Sequence, residues 1–295
     1  MAKLEFERIG PAREQLGESP VWDPETESLF WVDSRRGIIR RYRPATRRLS
    51  SWTLPAEIGS IALAGRDRLL AAIRNGFWLV DLPSGDIELV AQPFADGGAL
   101  RFNDGKMDRQ GRFLCGTMAL HSDTNYDGAL FQLSGGAVRK LESGIRIANS
   151  TCFSPRGDRL YFADSLAHCI WSYDYDVASG DISNKAVLVD TRAQNSVPDG
   201  ATVDADGCLW VALIQAGALA RYTPAGALDR LVPMPVPMPT CPAFGGKGLE
   251  TLYVTSISDS GTGRSKSDHP DAGATFALHG LGVSGLAETP YRFKG

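Results

Sequence analysis

Acidic and amide side chains stand at four corresponding places in this chain of 295 residues, each just before the point where an apolar strand is expected to begin. They are Glu18, Asn103, Asn149 and Asp199. At a single place, a turn residue that hydrogen-bonds to its own backbone would be the simpler interpretation. Four occurrences at the same phase of a repeat favour a shared site. Because carboxylate and amide oxygens are the ligands of hard divalent cations, the pattern indicates a metal site.

Other common catalytic motifs are absent from the sequence. It contains no G-x-S-x-G nucleophile elbow, no H-E-x-x-H zinc motif and no Walker A motif. The four histidines are widely spaced, and the five cysteines include no C-x-x-C pair. We therefore expect buried free thiols rather than a zinc ribbon or a redox site. A Ser-His-Asp triad stays open, although nothing in the sequence indicates one.

A short apolar segment recurs six times along the chain, next to turns that contain Gly or Asp. Its copies are residues 29–33, 68–72, 112–116, 159–164, 209–212 and 252–255. The spacing of roughly 40 to 50 residues is typical of propeller blades. We predict an all-β fold, a six-bladed β-propeller in which residues 1–295 form a single domain. An open β-sandwich is the alternative, which the regular period disfavours.

The propeller architecture explains why the four polar places matter. Residues at one phase of every blade converge on the central axis, so we expect the metal site at one end of the central channel. Residues 3–9 alternate apolar and charged side chains, which is a strand pattern. We predict that this segment closes the ring as the outer strand of the last blade and so removes an exposed edge.

Three further segments are rich in polar or charged residues. Residues 118–128 and 258–273 are long loops, which in a compact repeat fold are either functional or simply mobile. Residues 35–48 contain seven arginines. A solvated pair of rim strands is the favoured interpretation of that run, and steering of an anionic substrate is the alternative.

Composition narrows the class of protein further. The formal net charge is -3 and the pI is about 5.9, so we expect no nucleic-acid partner. No apolar stretch reaches the roughly eighteen residues of a membrane span, so we expect no membrane association, and the first ten residues do not resemble a signal peptide. With free cysteines, these features predict a cytoplasmic protein. The sequence does not indicate an oligomeric state.

Several motifs make the chain resemble the regucalcin/gluconolactonase family, which includes senescence marker protein and luciferin-regenerating enzyme. The most specific are Arg101-Phe102-Asn103-Asp104-Gly105-Lys106, Gly116-Thr117-Met118, Pro198-Asp199-Gly200 and Cys241-Pro242-Ala243-Phe244-Gly245-Gly246. The resemblance covers nearly the whole chain. It implies a six-bladed propeller with lactonase activity and one divalent cation in the channel, which would be Ca²⁺, Zn²⁺, Mn²⁺, Mg²⁺ or Fe²⁺.

The resemblance also implies roles for individual residues. Glu18, Asn149 and Asp199 would be metal ligands. Arg101 and Asn103 would contact the substrate. Asp199 would also be the catalytic general base.

The chain departs from the family pattern at two places. Ser150 follows the predicted ligand Asn149, where family members usually have glycine. Beyond Met118 the chain has Leu120 and His121, where some relatives carry acidic residues that touch sugar hydroxyls. We predict that His121 contacts the substrate and that the substrate preference differs accordingly. A solvated loop histidine is the alternative.

These expectations combine into one predicted function, the metal-dependent hydrolysis of a sugar lactone to the aldonic acid, as in a gluconolactonase. A bound cation would polarise the lactone carbonyl, and a carboxylate would activate the attacking water. Alternatives from other classes are a divalent-metal propeller esterase acting on a non-sugar ester, a non-catalytic calcium-binding regulatory protein, and a scaffold for partner proteins.

Overall fold

The computed structural model describes residues 3–95, 99–120 and 128–292. Within these residues, 24 strands form six antiparallel sheets of four strands each. The innermost strand of every sheet contacts the innermost strands of the two neighbouring sheets, so the six sheets surround a central channel. The predicted all-β, six-bladed β-propeller is confirmed.

Strands are numbered in chain order from β1 (Glu5–Ile9), and blades are described from the channel outwards. Blade 1 comprises β2 (Gly17–Asp23), β3 (Ser28–Asp33), β4 (Ile38–Arg43) and β5 (Arg48–Thr53). Blade 2 comprises β6 (Ile58–Leu63), β7 (Arg68–Ile73), β8 (Gly76–Asp81) and β9 (Ile87–Ala91). Blade 3 comprises β10 (Leu100–Met107), β11 (Phe113–Ala119), β12 (Gly128–Ser134) and β13 (Ala137–Ile145).

The remaining blades follow the same order. Blade 4 comprises β14 (Ala148–Phe153), β15 (Arg159–Asp164), β16 (Cys169–Tyr175) and β17 (Ile182–Asp190). Blade 5 comprises β18 (Pro198–Val203), β19 (Leu209–Leu213), β20 (Ala218–Tyr222) and β21 (Leu228–Pro233). Blade 6 comprises β22 (Pro239–Gly245), β23 (Thr251–Ser256), β24 (Thr275–His279) and β1. Short 3₁₀ helices lie at Pro44–Thr46, Ser165–Ala167, Thr191–Gln194 and Lys247–Leu249.

The second strand of each blade is the centre of the hydrophobic core. In β3, all six residues are buried, and Trp31 in its middle is fully so. Burial on both faces arises because a neighbouring blade packs on each side of the sheet, so these strands are continuous apolar runs rather than alternating ones. The six repeated apolar segments in the sequence are therefore these six second strands, as the periodicity predicts.

Both ends of the chain contribute to blade 6. The strand β1 pairs antiparallel with β24, from Glu5 opposite His279 to Ile9 opposite Thr275. Ile9 is buried in a cluster with Trp22, Trp31 and other aromatic side chains. This confirms the prediction that the first strand closes the ring.

Every innermost strand contains an irregularity in its pairing with the second strand of the blade. The register shifts lie between Glu18 and Val21, Ile58 and Ser60, Phe102 and Gly105, Asn149 and Cys152, Pro198 and Ala201, and Pro239 and Pro242. A bulge bends a strand locally and re-aims its side chains. Ser19 and Ser150 lie in two of these bulges with φ of 50° and 53°, a left-handed conformation that favours glycine.

The far end of the channel is closed by the C-terminal segment. Lys106 of β10 forms an ion pair with Glu288 at 3.1 Å, and both side chains are largely buried. Tyr291 donates its backbone N–H to the carbonyl of Leu63 in blade 2. Among the described residues, none of the helices has the length and apolar character needed to cross a membrane.

Candidate functional site

A cavity of about 150 Å³ opens at one end of the channel, and the predicted site residues that the structure describes all line it. They are Glu18 of β2, Arg101 and Asn103 of β10, Asn149 of β14 and Asp199 of β18. Four different blades therefore supply the floor of one cavity. The sequence analysis expected these residues just before the innermost strand of each blade, and this was wrong. Each lies inside that strand, beside its bulge. His121 lies outside the described residues.

Two buried carboxylates form the acidic part of the floor. Glu18 and Asp199 are only 7% and 8% exposed. Burial raises the pKa of Glu18 well above its usual range, and the nearby carboxylates of Asp199 and Asp104 raise it further, against the opposing effect of Arg101. Burial also raises the pKa of Asp199 well above its usual range, with Asp104 adding to the effect. Both carboxyls thus resist ionisation in the absence of a compensating cation.

A chain of hydrogen bonds fixes the two amides. Asn103 donates from Nδ2 to the carbonyl of Ala148 at 2.8 Å and to Oδ1 of Asn149 at 3.2 Å. Asn149 donates from Nδ2 to Oγ of Ser165 at 2.7 Å, and that hydroxyl donates to the carbonyl of Pro198 at 2.7 Å. The network connects blades 3, 4 and 5. Since its amide nitrogen is held by Ser165, Asn149 has Oδ1 as the atom available to a ligand.

Arg101 is a buried cation beside these groups. It is 2% exposed and donates from Nη1 to the carbonyl of Phe102 at 2.7 Å and to Oδ1 of Asn103 at 3.1 Å. Burial and the positive charge of Arg35 lower the pKa of Arg101 to about 10, against the opposing effect of Glu18. The guanidinium remains charged at neutral pH and can donate hydrogen bonds to a ligand on the floor.

Asp104 is a second buried acid behind the floor, to which the sequence motif gave no separate role. Its side chain accepts a hydrogen bond from the N–H of Thr151 at 2.7 Å and so joins β10 to β14. Burial raises the pKa of Asp104 above its usual range, against the hydrogen bond from Thr151. Asp104 lies next to the candidate ligands without lining the cavity above them.

Apolar side chains surround the mouth of the cavity. Those that line it are Leu16, Met118, Ile147, Leu166, Val197, Ile214 and Ile257. Most of them stand at the beginning of an innermost strand or at the end of a second strand. They exclude water around the polar floor, which strengthens electrostatic interactions inside the cavity.

Several lining residues were not identified from the sequence. Ser165 comes one residue and Gln215 two residues after the second strand of its blade, at the end of the blade that faces the mouth. That position in the repeat is the signal that could have identified them. The long loop 258–273, which the sequence analysis did single out, contributes Ser260, Thr262, Arg264 and Ser265 to the mouth.

The candidate donors for a metal ion are two carboxylates and one amide oxygen. Among the residues that the structure describes, no three His, Cys, Asp or Glu side chains come together. The set of Glu18, Asn149 and Asp199 nevertheless suits a hard cation, because the three side chains line one cavity and neither buried acid forms an ion pair with a described residue. The chemistry of the donors therefore fits a divalent ion.

Comparison with known proteins places this geometry in a family. A model of the SMP-30/Gluconolactonase/LRE-like region matches residues 16–258. The chain belongs to this family. Regucalcin from Oryctolagus cuniculus is 33% identical to it over 301 aligned residues, with 100% of both chains covered. The family resemblance of the sequence is thereby confirmed.

Solved structures extend the comparison to the whole fold. A luciferin-regenerating enzyme matches with a TM-score of 0.89 and 29% identity, over 98% of this chain and 100% of that one. A calcium-binding protein, regucalcin from Agrobacterium tumefaciens, matches with a TM-score of 0.90 and 30% identity, over 97% of this chain and 96% of that one. Both neighbours cover the six blades and hence every strand that bears a candidate residue.

Proposed function

We propose that this family member is a metal-dependent lactonase that hydrolyses a sugar lactone to the corresponding aldonic acid. The observation that carries the proposal is the convergence of Glu18, Asn149 and Asp199 with Arg101 and Asn103 on the floor of one cavity. Membership in the SMP-30/gluconolactonase family supports the same activity.

Glu18, Asn149 and Asp199 would hold the cation. When bound, a divalent ion supplies a Lewis acid that polarises the lactone carbonyl and stabilises the negative charge that develops on its oxygen. The oxygen donors favour Ca²⁺, Mg²⁺ or Mn²⁺ over softer metals. The calcium-binding relative from Agrobacterium tumefaciens is consistent with this choice.

The protein's own groups would perform the proton transfers. The carboxylate of Asp199 accepts a proton from a water molecule, whose oxygen bonds to the lactone carbonyl carbon. The ring C–O bond then breaks, and the leaving ring oxygen takes up the proton as a hydroxyl group. Arg101 and Asn103 donate hydrogen bonds to the sugar hydroxyls and orient the ring over Asp199. No covalent intermediate is required, in agreement with the absence of a nucleophile motif.

A lactone-hydrolysis assay with and without chelator tests the proposal. A panel of aldonolactones is followed with a pH indicator, because each turnover releases one acid. We expect activity that is lost with chelator and restored by a divalent ion. Bound metal without hydrolysis of any lactone would overturn the proposal.

The apolar ring around the mouth favours a second candidate, a metal-dependent esterase acting on a non-sugar ester. Leu16, Ile147, Val197, Ile214 and Ile257 would accommodate an aryl or alkyl group better than sugar hydroxyls. Including aryl esters in the same panel distinguishes the two candidates. Faster turnover of aryl esters than of every sugar lactone would select the esterase.

A further inference from the structure

Arg35 lies close to the mouth of the cavity, behind the residues that line it, as the register of the blades indicates. Asp33 at the end of β3 pairs with Gly17, as Asp164 pairs with Ala148 and Leu213 with Pro198. Two residues beyond these three positions stand Arg35, Leu166 and Gln215. Because Leu166 and Gln215 both line the cavity, the corresponding residue of blade 1 faces the same mouth.

Arg35 is held beneath the loop 258–273. A Cβ atom on Gly261 would come within 2.4 Å of Nε of Arg35 and 2.5 Å of Nη2, so the guanidinium packs directly against the backbone there. The two neighbours of Gly261, Ser260 and Thr262, line the cavity. Arg35 is therefore one residue layer away from the space a ligand would fill.

Within the described residues, the guanidinium of Arg35 has one buried nitrogen without an acceptor. Its Nε is buried without a hydrogen-bond partner, and the side chain forms no ion pair with any described residue. A buried donor without a partner costs about 1 to 3 kcal/mol, and more when it is charged. Glu57, whose charge also acts on Arg101, is already bound to Arg74 at 3.2 Å. Arg35 is thus left without an anionic partner among the described residues.

Positive charge is concentrated on this wall of the cavity. Arg101 lies on its floor and is close enough to Arg35 for the two charges to repel. The opposite wall, from blades 4 and 5, is apolar and includes Ile147, Val197 and Ile214. A bound divalent cation would neutralise the acids of the floor and leave this wall cationic.

We propose that the substrate is an acidic sugar lactone, whose anionic substituent is attracted by the positive charges of Arg35 and Arg101. The inference rests on the proposed lactonase function. The substituent, a carboxylate or a phosphate, stands on the sugar away from the reacting carbonyl. A guanidinium attracts either anion by its charge, and the charge of Arg35 has no ion-pair partner among the described residues.

The test compares three lactones on the purified, metal-loaded protein. They are a neutral aldonolactone, an aldarolactone that bears a carboxylate, and an aldonolactone that bears a terminal phosphate. We expect kcat/KM for one of the acidic lactones to exceed that for the neutral lactone by at least tenfold, and the excess to shrink as salt is added. The preferred acidic lactone identifies the substituent.

Arg35→Gln is the diagnostic variant, and Arg66→Gln is its matched control, since the side chain of Arg66 is 74% exposed on the surface. The ratio of kcat/KM for the acidic lactone to that for the neutral one should fall at least tenfold in Arg35→Gln and stay within twofold in Arg66→Gln. Equal or lower kcat/KM for acidic lactones, or an unchanged ratio in Arg35→Gln, would overturn the inference while hydrolysis of the neutral lactone upheld the proposed function. No hydrolysis of any lactone would overturn both.

Discussion

At the scale of single residues, the candidate site combines two acids whose burial opposes their ionisation with amides that are held rigidly. Glu18 and Asp199 face one cavity at 7% and 8% exposure, and each has a raised pKa. Asn149 is oriented by Ser165 and Asn103. Such an arrangement is unfavourable in an empty protein and favourable around a cation, which is the property expected of a metal site rather than of a structural network.

The substitution Asp199→Asn tests the proposed general base. It preserves the shape of the side chain but removes its ability to accept a proton, so we expect kcat to fall by about 10² to 10⁴. Circular dichroism and thermal unfolding should show an intact fold. Asp86→Asn, at an exposed turn of blade 2, is the control and should retain full activity. Full activity of Asp199→Asn would contradict the assignment.

The raised pKa values predict how the stability of the metal-free protein depends on pH. Above the ordinary carboxylate pKa of about 4, the folded protein holds protons on Glu18 and Asp199 that the unfolded chain has released. Their contribution to stability is therefore present at low pH and lost as pH rises through the folded pKa values. In chelator, the melting temperature should fall between pH 4.5 and 8 more steeply than in Asp199→Asn. Addition of a divalent cation should abolish the difference, and equal slopes in chelator would refute the prediction.

Only some of the residue roles could be predicted from the sequence. The phase of Glu18, Asn149 and Asp199 in the repeat predicted that they would meet, because a propeller brings equivalent positions to its axis. The departure at Ser150 also has a structural counterpart, since its φ of 53° is one that glycine adopts more easily. The packing of Arg35 against the backbone of Gly261 was not predictable, because it depends on how a long loop folds back over the mouth.

At the scale of elements, the innermost strands position the site through their bulges and their close mutual approach. The repeated apolar segments predicted the second strands well, because burial on both faces leaves a strong sequence signal. The sequence analysis placed the beginning of each innermost strand too far along the chain, after the site residue instead of before it. Their site-bearing halves are polar, and the bulge interrupts the alternation that would identify them. The apolar pattern therefore marks only the half of the strand that lies beyond the bulge.

The contact between β18 and β22 provides a test of this positioning. A Cβ atom on Gly200 would lie 2.4 Å from Sγ and 2.9 Å from Cα of Cys241, so Gly200→Ala must separate the two strands. We expect a loss of about 1 to 3 kcal/mol in the free energy of unfolding, measured in urea. The neighbouring residue, Asp199, should shift as well and weaken cation binding measured by titration calorimetry.

Cys241→Ala serves as the control for this strand contact, because it removes the nearest atom. In a double-mutant cycle, Cys241→Ala should recover part of the stability and of the cation affinity lost in Gly200→Ala. Strictly additive effects of the two substitutions would show that the contact does not transmit strain to Asp199.

At the scale of the whole molecule, two sets of contacts hold the six blades together. One closes the ring at blade 6, and the other lies at the end of the channel opposite the cavity. The strand β1 supplies the outer edge of blade 6, and the pair of Lys106 and Glu288 joins β10 to the C-terminal segment at the end opposite the cavity. Burial alone would lower the pKa of Lys106, but the charge of Glu288 raises it above its usual value. Each blade therefore depends on its neighbours for the position of its site residue.

Removal of residues 1–10 tests two things together, the closure of the ring by β1 and the position of the loop over the cavity. The deletion would cost the five paired positions of β1 and the burial of Ile9, on the order of 5 kcal/mol in the free energy of unfolding. It would also expose the edge of β24, so association should increase with protein concentration. The lost ion pair between Arg8 and Asp271, at 2.8 Å, connects β1 to the loop that covers the mouth.

Arg8→Ala separates these contributions, because it removes only a partly exposed ion pair that is worth less than about 1 kcal/mol. Calorimetric melting and light scattering should show a large change for the deletion and almost none for Arg8→Ala. If closure also orders the loop 258–273, both variants should raise KM for the lactone, while kcat of the residual folded protein stays close to that of the intact chain. An unchanged melting temperature after deletion would mean that β24 tolerates an open edge, and the role of β1 in holding the ring would be refuted.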